Sequence, residues 1–297
     1  MKKKLFVIFT VMLFGACTPK NEAVKVITGK DYELKIASPQ KAVLVLFPCF
    51  PCDIANTKAE AGFLKDIEKQ GITTLLLNYN QRLFLSDSEK KEYAKTLNTI
   101  LDQHNVVTDN LYIGGFSGGG NVAMLLSSYL IKNKNAIQPK GIMVIDSPID
   151  LEALYNDSQK EVAKNVDAEA VAEGHYLIEL LESTLGKPAD HLENYKNASP
   201  YLVSCKATNT IAYLKDIKTR FYSEPDLEWQ KQQKSRTYED LNAYKLEQAS
   251  KTLRELGSTQ TEYIATQNRG YRANGDKHPH SWNIVEQGSL VKWMTEQ

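Results

Sequence analysis

Four short, largely apolar runs punctuate the first half of the chain: Ala42–Phe47, Ile72–Leu77, residues 111–113 and Gly141–Ile145. A strand with one solvated face alternates polar and apolar residues, whereas runs of this kind fit strands buried on both faces. Between them the period changes to that of helices. Thr57 and Glu60 predict a capping box ahead of a helix carrying Ala61, Leu64 and Ile67, with Gly71 as its stop. Ser86 and Glu89 predict a second, ahead of an apolar face formed by Tyr93, Leu97, Ile100 and Leu101. Residues 122–131 are apolar almost all round, as a helix pressed beneath a sheet must be. Strands alternating with helices in this way imply an α/β fold: a mainly parallel, doubly wound sheet joined by right-handed crossovers.

The flanking segments complete this layout. Residues 24–27 and 32–37 alternate around Gly29 and Lys30, which predicts an opening hairpin. From 151 to 218 the strand rhythm is lost in a polar stretch rich in Ala, Glu and Leu, which predicts a helical cap inserted into the sheet. Strands resume at 219–222 and Thr261–Ala265, with an amphipathic helix at 239–256 and a C-terminal helix at about 282–294. At 297 residues, one large domain covering 24–297 is the simplest packing.

Gly115-Phe116-Ser117-Gly118-Gly119 matches G-x-S-x-G and stands between an apolar strand and an apolar helix, the context that a nucleophile elbow requires. A serine hydroxyl is a weak nucleophile that needs a base beside it and hydrogen-bond donors for the developing oxyanion. On these residues the chain resembles the α/β-hydrolase superfamily over about residues 40–297, which implies a serine hydrolase acting on an ester, thioester or amide with no metal and no cofactor. The resemblance implies Ser117 as nucleophile, the Gly118 N–H as one oxyanion donor, and a second donor from the loop after the first inner strand. That loop reads Pro48-Cys49-Phe50-Pro51-Cys52-Asp53 and lacks the usual His-Gly pattern. Cys49 or Phe50 can donate there; the two prolines have no N–H. The resemblance also implies the order Ser, acid, His, with the histidine after the last strand, where His278 and His280 stand. His280 is preferred because the last helix follows it directly. For the acid, Asp226 is the first choice, because Pro225 favours a turn over the strand end. Asp146 is the alternative, with Glu224 and Glu228 also near.

Thirty-six basic and thirty-six acidic residues cancel, so no general positive field attracts nucleic acid. Lys2, Lys3 and Lys4, a short apolar run and Gly15-Ala16-Cys17 form a secretory leader that resembles a bacterial lipobox. The expectation is a signal peptide at 1–16, lipidation of Cys17, a tether over 17–23 and a membrane-anchored protein of the cell envelope. In an exported protein Cys49 and Cys52 can form a disulfide. A rival function follows from the same C-x-x-C, a thioredoxin-like redox protein, and a third is a lipid-anchored binding protein that has lost catalysis. His278, His280 and Asp276 lack the further ligands that a metal site needs. Arg82 can bind an acidic group of a substrate, with a solvent-facing side chain as the preferred reading, and no motif in the cap names a substrate or an oligomeric state.

Overall fold

The computed structural model describes residues 24–78 and 82–296. Its sheet contains β1 (Lys25–Thr28), β2 (Tyr32–Ile36), β3 (Ala42–Phe47), β4 (Ile72–Leu77), β5 (Leu111–Phe116), β6 (Gly141–Ile145), β7 (Lys218–Ser223) and β8 (Thr261–Ala265). The spatial order is β1-β2-β4-β3-β5-β6-β7-β8. The β1–β2 hairpin lies antiparallel against β4, and every pair from β4 to β8 is parallel. Among the described residues nine α-helices accompany it: α1 (Ile54–Glu60), α2 (Asp87–Gln103), α3 (Gly118–Lys132), α4 (Leu151–Lys164), α5 (Ala168–Leu185), α6 (Pro188–Ala198), α7 (Leu227–Lys234), α8 (Asn242–Glu255) and α9 (Gln287–Thr295).

The apolar runs are apolar because both faces are covered. Val43, Val45 and Phe47 of β3 pack with residues of α2 and α3, while Ala42, Leu44 and Leu46 point to the other side, against Phe63, Trp282, Leu290 and Trp293. A third cluster joins Val144 and Phe221 to Leu246 and Leu253 of α8. The helices α4, α5 and α6 form a layer of their own around Leu151, Leu181, Tyr195 and Leu202. Of the segment 151–218, residues 151–198 form this cap, whereas a single 3-10 turn at Ile211–Leu214 returns to the core beside α3.

Two local expectations differ from the structure. The first crossover helix is capped by Asp53, whose side chain accepts from the Asn56 N–H, so α1 begins before Thr57 and ends at Glu60. Ile67 is buried, but in a 3-10 turn that Asp66, in the left-handed region, separates from another at Gly62–Leu64, and the buried Ala61 stands just ahead of that first turn. The C-terminal helix starts at Gln287, after a separate 3-10 turn at Trp282–Ile284. By contrast, Ser86 and Glu89 form the reciprocal capping box at the start of α2.

The register positions the site. Phe116 of β5 pairs with Ile145 of β6, and Ile145 with Tyr222 of β7. The strands thus end in one row, and the residues that follow them, Ser117, Asp146 and the Ser223-Glu224 segment, emerge at a common edge. Adjacent strands are about 4.8 Å apart, so Asp146 leaves the strand next to the one that leads into Ser117, whereas any carboxylate after β7 starts from one strand further away.

Candidate active site

Ser117 has φ 54° and ψ −129°, outside the regions that non-glycine residues favour, and its N–H donates to the carbonyl of Ile145 at 2.9 Å. The strain is held by the glycines around it. A Cβ on Gly115 would stand 2.2 Å from the Gly119 carbonyl oxygen, and one on Gly119 would stand 2.1 Å from that of Pro48. The turn is therefore as tight as the motif demands, and α3 begins immediately behind Ser117, where among the described residues the Ser117 side chain does not cap its first N–H groups.

Ser117, Gly118, Phe50, Asp146, His278 and His280 all line one cavity of about 820 Å³ between the sheet edge and the cap. Phe50 lies against the elbow: a Cβ on Gly118 would be 3.6 Å from the Phe50 nitrogen. Among the described residues neither the Gly118 nor the Phe50 N–H has a protein acceptor, as a pair of oxyanion donors requires. Of the two residues expected to share this role, Phe50 lines the cavity with Gly118. Cys49 instead packs beside the core cluster beneath it. Cys49 and Cys52 form a disulfide across this turn, which the Cys52 N–H also closes onto the Cys49 carbonyl at 2.8 Å. The Phe50 ring stacks on Tyr176 of α5 with centroids 6.1 Å apart, joining the loop to the cap.

His280 reaches the elbow from the last loop. Its ring packs on Phe116, the residue before Ser117, with centroids 4.3 Å apart. The Nδ1–H donates to Asp146 Oδ2 at 2.6 Å, which leaves Nε2 as the basic nitrogen. Ser117 Oγ makes no hydrogen bond to His280 among the described residues; such contacts are commonly long in unliganded enzymes and tighten in the complex.

The carboxylate on His280 is Asp146 and not Asp226, a correction to the sequence expectation. Asp146, at φ 39°, is fixed by its N–H donating to the Tyr222 carbonyl at 2.8 Å and by its own carbonyl accepting from Asn242 Nδ2 at 3.0 Å. Asp226 does sit in a turn after Pro225, but its two oxygens are engaged elsewhere. Oδ1 caps α7 by accepting from the Trp229 N–H at 3.2 Å, and Oδ2 pairs with Lys277 at 2.6 Å. Glu228 accepts from Gln232 on the same helix. Glu224 is buried and holds the loop after β8, a role without any local signal in the sequence.

His278 is set apart from His280 by its partners. Its Nδ1–H donates to the His280 carbonyl at 2.9 Å, its ring meets Trp229 edge-on, and burial pushes its pKa down to about 4, so it is neutral at pH 7. Arg82 pairs with Glu89 at 2.7 Å. Among the described residues no group of three or more His, Cys, Asp or Glu is arranged to hold a metal ion. Cys17 and the leader lie outside the described residues.

No protein-family model matches the sequence, and no curated protein does. Solved structures do. An esterase/lipase from an uncultured bacterium shares 15% identity at a TM-score of 0.58, covering 93% of this chain and 86% of its own. A fungal esterase from Rhizomucor miehei shares 14% at 0.57, covering 92% and 82%. MPT51 of Mycobacterium tuberculosis shares 12% at 0.56, covering 92% and 98%. These likenesses, with the strand order above, establish the α/β-hydrolase fold. The thioredoxin-like alternative is thereby overturned as a fold: the Cys49–Cys52 pair is an oxidised bracket in a loop of this sheet.

Proposed function

We propose that this protein is a serine hydrolase that cleaves ester bonds through an acyl-enzyme on Ser117. The observation that carries the reading is the meeting, in one cavity, of a strained serine elbow and a histidine held by a carboxylate. Esterases among the proteins of similar fold favour an ester over the thioester or amide that the same groups also suit.

In this reading Ser117 Oγ attacks the substrate carbonyl carbon while its proton passes to His280 Nε2. The imidazolium is stabilised by Asp146, and the new alkoxide takes the Gly118 and Phe50 N–H groups, each donor contributing on the order of 3 kcal/mol to the transition state. Collapse breaks the bond to the leaving alcohol, which His280 protonates. Water then enters by the reverse route, with His280 as general base, and releases the acid and free Ser117. The substrate is a small molecule bearing an acyl group, bound between the elbow and the cap.

A fluorophosphonate probe tests this directly. Purified protein is expected to be labelled and to hydrolyse p-nitrophenyl esters, and Ser117→Ala to lose both. An unlabelled, inactive wild type overturns the reading in favour of a binding protein of this fold. We further propose that Cys17 carries a lipid anchor, as its Gly15-Ala16-Cys17 context suggests. Wild type should then fractionate with membranes and Cys17→Ser should be released or left with its leader; a soluble, unmodified wild type contradicts the anchor.

A further inference from the structure

The loop that carries His280 runs from the end of β8 to the turn before α9, and Asp146 holds only its far end. Its near end is tied to Glu224, the residue immediately after β7 and only 3% exposed. Glu224 Oε2 accepts from the Arg269 N–H at 2.8 Å and from Thr266 Oγ1 at 3.0 Å, and the Thr266 N–H donates to the Ser223 carbonyl at 2.8 Å. From there the connection is continuous. The Gly270 carbonyl accepts from the His278 N–H at 2.8 Å, the His278 ring donates to the His280 carbonyl at 2.9 Å, and His280 donates to Asp146. Packing fixes the same relation: a Cβ on Gly270 would stand 2.6 Å from the Cα of Pro279, between the two histidines, and 3.1 Å from Glu224 Oε1.

We propose that Glu224 is a positioning residue: from the end of β7 its buried carboxylate sets the backbone on which His280 rides, and so sets the aim of the imidazole at Ser117. The proposal rests on the hydrolase reading for its catalytic consequence and on the hydrogen-bond chain for its structure. Glu224 does not itself orient the ring, because the Nδ1–H is already given to Asp146. It acts on the histidine through the loop, where a displacement of about 1 Å suffices to slow turnover by about 10²-fold.

The test compares Glu224→Ala, Glu224→Gln and Thr266→Val in the full mature protein. Hydrolysis of a p-nitrophenyl ester is scaled to the fraction of folded protein measured by thermal unfolding. Glu224→Ala is expected to lower kcat by about 10²-fold while KM stays within about threefold of wild type. Glu224→Gln, which keeps an oxygen for the Arg269 N–H, should restore most of kcat, and Thr266→Val should fall between. The second readout is independent of turnover: the low-field proton resonance of the His280 Nδ1–H bond to Asp146, assigned by its loss in Asp146→Ala. It is expected to vanish in Glu224→Ala and to survive in Glu224→Gln. A wild-type kcat in Glu224→Ala or, should that variant not fold, in Thr266→Val overturns the proposal. So does a Glu224→Gln protein as slow as the alanine variant, which would assign the role to the charge and not to the hydrogen bonds. Failure of the hydrolase reading shows itself separately, as a wild type without Ser117-dependent turnover, and the proton resonance then still decides whether Glu224 positions His280.

Discussion

At the scale of residues, the distinction that matters is between two aspartates that each follow a strand at the same edge of the sheet. Asp146 holds the His280 ring, and Asp226 is committed to a helix cap and to Lys277. Asp146→Asn keeps the volume but loses the charge and favours the wrong histidine tautomer, so kcat is expected to drop by about 10⁴-fold. Asp226→Asn should leave kcat near wild type and be seen only in stability. His280→Ala should approach the loss in Ser117→Ala, with His278→Ala milder because that ring supports the loop; equal losses in Asp146→Asn and Asp226→Asn would reject this assignment. The elbow at Ser117 and the place of His280 beside it were legible because each is tied to a local pattern, a glycine-flanked serine between strand and helix and a histidine ahead of the last helix. The carboxylate that meets His280 has no such tie. Its bond to His280 spans 134 residues, and the turn chemistry of Pro225 describes where Asp226 sits without revealing that Lys277 claims its carboxylate.

At the scale of elements, the cap joins the sheet at Asp150, which begins α4 and is only 2% exposed. Its Oδ1 accepts from the Ala153 N–H and its Oδ2 from the Val203 N–H, both at 2.8 Å, so one side chain ends the strand-to-cap connection and pins the return segment. Removing it strands two donors. Asp150→Ala is expected to destabilise the protein by about 2 kcal/mol in urea unfolding, and Asp150→Asn by less, since the amide keeps the cap but meets the Val203 N–H with a donor. Burial raises the pKa of this carboxyl to about 6. Folding therefore takes up a proton between about pH 4 and 6, and the stability this contributes is lost as pH rises through 6. Comparing unfolding at pH 4 and pH 7 should show that dependence weakened in Asp150→Asn; an unchanged profile would assign it to other groups. The strands were readable because burial on two faces leaves a compositional mark. Helix starts were readable where the predicted cap is the one formed: Ser86 and Glu89 make the reciprocal box at the start of α2, whereas Asp53 captures the first helix before the Thr57 and Glu60 pair can.

At the scale of the whole molecule, the cap is joined to the rest of the fold by charged pairs as well as by apolar packing. Lys245 of α8, 6% exposed, reaches Asp157 of α4 at 2.6 Å and donates to the Glu239 carbonyl at 2.7 Å. Lys160 of α4 bridges Asp157 and Asp240 at 2.9 Å each, and Arg236 meets Glu161 at 3.0 Å. These pairs tie α4 to the segment between α7 and α8, and Asp157, Glu161, Arg236, Asp240 and Lys245 also form part of the cavity wall. None of this is visible in the sequence, where the same residues read as ordinary solvated charges on amphipathic helices. The cost of breaking a pair depends on how far it is withdrawn from water. Removing one partner leaves the other charge uncompensated, which is worth about 3 kcal/mol or more when buried and under about 1 kcal/mol when exposed. Lys245→Ala should therefore destabilise the fold by about 3 kcal/mol. Lys292→Ala, whose pair with Glu296 is largely exposed, should change it by no more than about 0.5 kcal/mol. Because Lys245→Ala takes from Asp157 the more buried of its two lysine partners and leaves it Lys160, Asp157→Ala in the Lys245→Ala background should cost less than it does alone, with a coupling of about 1 kcal/mol or more in a double-mutant cycle of urea unfolding. If the two losses simply add, the cap rests on its apolar cluster around Leu181 and Tyr195 and the ionic clamp contributes nothing to holding it in place.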